Sequence, residues 1–396
     1  MFKFKTGLLA TAAAGLVLMA SSAFAGPTWT FGPEDEGLMK IEYKGQFQLD
    51  YRDTGSGANG DDSSSEFNFR RNRIALMGFY KGVGLYFQTE YNEDNNINSF
   101  SVGDGDNADF RVIDAQFRYK VNDAVQFRIG KYKYNFTREN LEACEAPLTL
   151  DRSLMIRAPF VETRDKGVTL WGNLFDGVFQ YRLDAMNGRN DSASAPDSNF
   201  RYGARAHVTL LDGEKGYGYK GTYMGEKKVI TIGGAYQMEQ DIAYADCTNE
   251  TDAVDYKAWT VDLFAEYPIE DVGTFTFSTA YVDYDLDDAF KGFDPDDNVL
   301  GLNGEKNGGY TKIAYMLPNT PLQFFARAEN WSFAGWDDGT SVILDQEVDW
   351  YGGGINYYFY GQDLKITLEY STVDYDKETK NCEDFDTLTA QIQVIF

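Results

Sequence analysis

From Leu38 to Phe396 the chain falls into stretches of about ten residues in which apolar and polar positions alternate, each bounded by turn-forming residues. The last stretch shows the pattern most plainly: Leu388, Ala390, Ile392, Val394 and Phe396 alternate with Thr389, Gln391 and Gln393. In water such a strand would be an exposed, adhesive edge. With one face on lipid, the other on a wet interior and both edges paired, the same strand is stable. The alternation predicts sixteen strands, near 39–53, 66–80, 83–93, 110–121, 124–136, 166–174, 177–187, 199–211, 228–240, 254–268, 273–285, 309–317, 322–333, 347–360, 363–375 and 386–396. Each is long enough to cross an outer membrane when tilted.

The connections carry separate information. Short ones such as Lys81-Gly82, Phe175-Asp176 and Gly361-Gln362 alternate with long polar ones, as a closed barrel with periplasmic turns and extracellular loops requires. One segment, 211–228, is long yet falls on the short side. The predicted fold is all-β, a 16-stranded antiparallel transmembrane barrel. Facing follows from the alternation. Ile41, Tyr43, Phe47 and Leu49 point to lipid while Lys40, Glu42, Lys44, Gln46, Gln48 and Asp50 point inward; in the fourth strand Ile113, Ala115, Phe117 and Tyr119 point outward. Arg182, Arg201, Arg205 and His207 are expected inside, in a water-filled pore and not a packed core.

Lys3 and Lys5, the apolar run 7–20 and Ala23-Phe24-Ala25 form a signal-peptide pattern, so residues 1–25 are expected to be removed and 26–396 to form one domain. The formal net charge of −26 disfavours nucleic-acid partners. Cys144, Cys247 and Cys382 permit one disulfide without choosing the pair. No cofactor motif and no zinc or haem spacing is present. Asp294, Asp296, Asn298 and Glu305 have calcium-loop spacing, but Val299 stands where the sharp-turn glycine belongs, so the stretch reads as an acidic outer loop. The sole histidine lacks an activated-serine context, which argues against a barrel enzyme.

Two arginine-bearing stretches carry the candidate chemistry. The 137–165 connection holds Arg138, Arg152, Arg157 and Arg164 together with Leu148, Leu150, Leu154, Met155, Ile156 and Phe160. So many large apolar residues do not suit an exposed cap, so the loop is expected to fold inward and constrict the pore. Lys131 and Lys133 lie just before it. In FNFRRNRIALMGFY, the residues Arg70, Arg71 and Arg73 cannot share one face of a regular strand, so a bulge or the barrel rim must accommodate them. Guanidinium groups in a pore offer bidentate hydrogen bonds to phosphate-like anions. Against this, Glu42, Asp50, Glu90, Asp114, Asp184, Asp262, Glu266 and Glu369 are also expected to point inward.

The blocks RRNRIALMGFYKGVGLYFQTEY, QFRIGKYKYNFTREN, LDRSLMIRAPFVETRDKGVTLWG and FQYRLDAMNGRND resemble successive blocks of the phosphate-selective porin O/P family, most specifically over 67–191. The resemblance implies a bacterial outer-membrane porin, usually a homotrimer embedded among lipid and lipopolysaccharide, with an inward-folded loop after the fifth strand. It places Arg70, Arg71 and Arg73 in an anion track, with Arg152 and Arg164 at motif positions. The expected pore-lining set is Arg70, Arg71, Arg73, Lys131, Lys133, Arg138, Arg152, Arg164, Arg182, Arg201 and Arg205, passing small inorganic or organic ions. A general or cation-preferring porin and a structural or adhesive surface barrel are the alternatives.

Overall fold

The computed structural model describes residues 26–33, 36–53, 63–92, 109–153, 156, 158, 163–189, 195–246, 249–287, 305–336, 343–378 and 383–396. Cys247, Cys382, the leader, the calcium-like stretch up to residue 304, and Leu154, Met155, Arg157 and Phe160 lie outside the described residues.

A short strand β1 (Thr28–Phe31) precedes sixteen long ones: β2 (Gly37–Arg52), β3 (Ser64–Tyr80), β4 (Val83–Asn92), β5 (Asp109–Lys120), β6 (Gln126–Tyr132), β7 (Asp165–Leu174), β8 (Phe179–Met186), β9 (Arg201–Leu211), β10 (Val229–Asp246), β11 (Thr251–Ile269), β12 (Gly273–Asp285), β13 (Lys306–Met316), β14 (Leu322–Trp336), β15 (Ile343–Tyr360), β16 (Leu364–Tyr375) and β17 (Phe385–Ile395). Each of β2–β17 pairs antiparallel with its sequence neighbours, and β17 returns to β2, so the sheet closes into a barrel without free edges. All sixteen expected strands are present. The closing seam shows why the pattern works. Inside, Gln46 donates to Gln393 (2.6 Å), Gln48 donates to Gln391 (3.0 Å), and Asp50 accepts from Thr389. On the outside of the same strands, Phe47, Leu49, Leu388 and Ile392 are exposed.

Two bulges adjust the alternation. Gln46 faces Arg71 while Phe47 faces Phe69, which leaves Arg70 as the extra residue on β3. Arg71 and Arg73 are thereby turned inward, buried, and Phe69 stays on the outer face beside Phe47 with ring centroids 5.2 Å apart. A regular strand would send either Arg70 or the Arg71 and Arg73 pair toward lipid, at about 2–4 kcal/mol for each at midplane depth. On β5, Thr89 faces Val112 and Gln88 faces Asp114, so the extra residue is Ile113. This corrects the expected facing: Ile113 is buried and Val112 takes the outward place.

The interior is not uniformly polar. β6 ends at Tyr132, four residues earlier than expected, and Gly130 is the site of its distortion, with φ of 126° and Ala115 O too close for any Cβ. The chain then leaves the wall, and Tyr134 and Phe136 join inward-facing Tyr256, Val282 and Tyr284 in an apolar cluster inside the barrel. Within β15, Gly352 leaves room for Arg327, whose guanidinium lies 3.3 Å from the Trp350 ring centroid.

Candidate functional site

The segment after β6 crosses the barrel interior. Thr137 caps a single helical turn, α1 (Arg138–Leu141), by accepting from the Asn140 N–H at 3.0 Å. From there the chain bonds to inward-facing groups of the opposite wall. Lys312 of β13 donates to Glu139 (2.6 Å), and Ser153 donates to Glu329 of β14 (2.7 Å). Asn356 of β15 donates to the Leu148 carbonyl (3.0 Å), and the Leu150 N–H donates to Glu369 of β16 (2.8 Å). Gln393 of β17 donates to the Glu145 carbonyl (2.8 Å), and Lys44 of β2 pairs with the Glu145 carboxylate. Leu148 fills an apolar recess between Ala314 and Phe325. These contacts hold 137–153 across the lumen.

The second interior segment is 212–228, the connection that was too long for its rim. It enters from the short-turn end and meets the first. The Ala143 N–H donates to the Tyr219 carbonyl (3.0 Å), Tyr219 N–H to Leu141 (3.2 Å), and Gly221 N–H to Ala146 (2.8 Å). Arg138 donates from both Nη atoms to Glu214 at 2.8 and 2.7 Å, with its guanidinium 4.0 Å from the Phe264 ring centroid and 4.4 Å from that of Tyr219. Burial pushes the Glu214 carboxyl up, but Arg138 outweighs this and holds it at about 2.

The expected arginine set is brought to the interior in different states. Arg70 and Arg71 share one carboxylate, Asp151 of the crossing segment, at 2.5 and 2.9 Å. Burial acts against the Asp151 charge, yet the two arginines and Arg152 hold the carboxyl well below its usual range. Arg73 pairs with Glu90 (2.5 Å), Arg164 with Asp114 (3.0 Å), Arg201 with Glu239 (2.8 Å) and Arg205 with Asp262 (2.7 Å). Arg152 donates to the backbone carbonyls of Glu139 and Asn140, and Lys133 to that of Glu142. Arg182 donates to Gln180. Lys131 does not join the set: it shares the outward face of β6 with Phe127 and Ile129 and donates to the Val112 carbonyl.

Cys144 is a free thiol buried in the crossing segment. Burial raises its pKa, but Arg152, Lys133, Arg73 and Arg71 outweigh that and hold it well below the usual thiol range. The sequence reading missed Asp151, Glu139, Glu145, Lys312, Arg327, Glu329 and Lys365 as members of this centre. A signal existed for four of them, because Lys312, Arg327, Glu329 and Lys365 are charged residues at inward positions of their alternating strands. Nothing local marks Asp151 or Glu145 as lumenal.

The barrel agrees with comparisons to known proteins. A family model described as phosphate-selective porin O and P matches residues 41–396. The chain belongs to that family. Among solved structures, the porin resembles the anion-selective porin of Comamonas acidovorans, with TM-score 0.56 and 10% identity over 91% of this chain and 100% of that one. It resembles Salmonella typhi OmpF in complex with daunomycin (TM-score 0.61, 12% identity, 92% and 99% covered) and the trimer form of Vibrio cholerae OmpT (0.52, 12%, 91% and 99%). At these identities the likeness is one of fold. In sequence the porin is 23% identical over 388 residues to an uncharacterized protein of Aquifex aeolicus strain VF5, covering 90% of this chain and 87% of that protein.

Proposed function

We propose that this outer-membrane porin passes small hydrophilic anions of the oxyanion class by passive diffusion, and that the crossing segment 137–153 sets its constriction. The observation that carries the reading is the convergence of Arg70 and Arg71 on Asp151, which gathers two guanidinium groups where the crossing segment meets the β3 wall. Such a site attracts an anion without holding it irreversibly, because Asp151 competes for the same guanidinium groups. The short-turn rim is assigned to the periplasm and the porin to a homotrimer, consistent with the trimeric form of its structural neighbour from Vibrio cholerae.

A general or cation-preferring channel is the second reading. It is favoured by the carboxylates that pair with Arg73, Arg164, Arg201 and Arg205. Planar-bilayer conductance of the purified porin under a potassium chloride gradient, repeated with phosphate, separates the two. An anion-signed reversal potential with chloride current blocked by phosphate is expected; a cation-signed potential without block would refute the proposal. Absence of any conductance would favour a structural surface barrel instead.

A further inference from the structure

A second set of inward arginines lies apart from Arg70, Arg71 and Arg73. Arg118 of β5 and Arg128 of β6 are direct cross-strand partners. One strand further, Trp171 stands opposite Arg182 of β8. All three guanidinium groups converge on Tyr217 of the second interior segment or on the wall beside it. Arg128 lies 3.4 Å and Arg182 4.6 Å from the Tyr217 ring centroid, and Arg118 lies over Tyr86 at 4.9 Å. Among the described residues none of the three has a carboxylate partner. Their side-chain acceptors are neutral amides: Gln116 accepts from Arg118 (3.1 Å) and Arg128 (2.9 Å), and Gln180 accepts from Arg182 (2.8 and 2.6 Å). Of the nearby carboxylates, Asp114 pairs with Arg164, Asp262 with Arg205 and Glu214 with Arg138, while Asp184, two positions from Arg182 on β8, accepts from the Asn135 N–H (3.1 Å) and pairs with no cation among the described residues.

Three clustered like charges, partly withdrawn from water and without an ion-pair partner among the described residues, are costly. Donors also stand idle here: among the described residues, Arg128 Nε, Arg182 Nη1 and the Tyr217 hydroxyl are buried without a hydrogen-bond partner. Arg182 is fully buried, whereas Arg118 and Arg128 keep part of their surface open to the lumen. An oxyanion entering here would supply the missing charge and accept from several fixed forks at once. Stacking on Tyr217 keeps Arg128 and Arg182 in place without neutralising them.

We propose that Arg118, Arg128 and Arg182, with Tyr217, form a second anion subsite on the short-turn side of the crossing segment, which takes an oxyanion of the phosphate or carboxylate class. The inference rests on the anion-porin reading for its role in transport but not for its binding chemistry. The test uses the full porin in detergent and in bilayers, with inorganic phosphate as the probe, acetate as the carboxylate probe and chloride as the comparison. Arg118→Gln and Arg128→Gln are the variants, since both residues are partly open, and retained heat-modifiable migration on a gel confirms the barrel. Equilibrium dialysis should show phosphate affinity weakened about ten- to a hundred-fold in Arg128→Gln, with partial recovery in Arg128→Lys. In bilayers, block by phosphate added on the short-turn side should weaken, while block from the long-loop side is less affected. Equal affinity and equal block in folded Arg118→Gln, Arg128→Gln and the wild type would overturn the subsite. A wild-type channel with cation-signed potential that still binds phosphate through Arg128 would sink the transport reading and leave the subsite standing. Absence of phosphate and acetate binding in the wild type would sink the subsite.

Discussion

Replacing Glu214 by glutamine should release the two interior segments from each other. Glu214 accepts both Arg138 Nη donors, the Tyr223 hydroxyl at 2.6 Å and the Thr231 hydroxyl at 2.6 Å, and both partners of the ion pair are almost wholly buried. Removing one charge of such a pair costs about 3–5 kcal/mol, with Arg138 left a longer contact to Glu142 at 3.7 Å. That loss falls on the contact carried by the amides of Ala143, Tyr219 and Gly221. Hydrogen exchange at those three amides should therefore accelerate by about two to three and a half orders of magnitude, since each 1.4 kcal/mol is tenfold. Because the Glu214 carboxyl sits at about 2, well below its unfolded value, its contribution is complete at neutral pH and is lost as pH falls toward 2. The exposed Lys215 and Asp176 pair of the same region is the control, and Asp176→Asn should leave all three amides unchanged. Unaltered protection in folded Glu214→Gln would refute the reasoning.

Asp151→Asn should remove the carboxylate that Arg70 and Arg71 share, shift the reversal potential toward the anion side and tighten phosphate block at least about tenfold; an unchanged potential would count against a shared carboxylate at the constriction. Between pH 6 and 8 anion preference should decline. Burial and neighbouring Glu139 raise the Glu142 carboxyl to about 7, while burial and neighbouring Arg152 lower the Lys133 ammonium to about 7, so the interior gains a negative charge and loses a positive one as pH rises. Glu142→Gln combined with Lys133→Met should flatten that profile in the same bilayer assay. Deleting Arg70 should leave a folded barrel, because Phe69 and Arg71 already face the adjacent residues Phe47 and Gln46. Deleting Asn72 instead makes Arg71 and Arg73 neighbours and sends one to lipid, so its yield of heat-modifiable barrel should fall.

Strand positions were legible because membrane and lumen impose a period of two on each of β2–β17, and turn residues punctuate it. The need for a bulge in β3 was legible for the same reason, since three arginines in four positions conflict with that period. Ile113 misled because a bulge there is not forced by charge: an isoleucine is tolerated on either face. What periodicity does not encode is the destination of a connection. Segment 212–228 was visible as an anomaly of length, but its docking on 137–146 depends on partners such as Arg138 and Glu214, which are 76 residues apart. Pairing was equally hidden. Arg128 and Arg201 look alike in sequence, yet one is left with neutral amide acceptors and the other meets Glu239.

The strand edge of β2 is filled by two pieces laid end to end. Ile395 pairs with Lys44 and Phe396 exchanges backbone hydrogen bonds with Tyr43, after which Pro27 accepts from Ile41 and β1 continues along Lys40 to Gly37. Gly26 sits in the join, where a Cβ would strike the Ile41 carbonyl at 1.9 Å and approach the Phe396 carbonyl carbon at 3.2 Å. Assembly therefore has a sequence in time. Neighbouring hairpins form through local contacts, whereas the Gln46 and Gln393 contact spans 347 residues and must wait for the whole sheet to curl. Until it forms, the growing sheet carries two unsatisfied edges, and the last twelve residues act as a zip that must reach the edge of β2. A chain truncated before β17 would not make a smaller channel; it would make an open sheet.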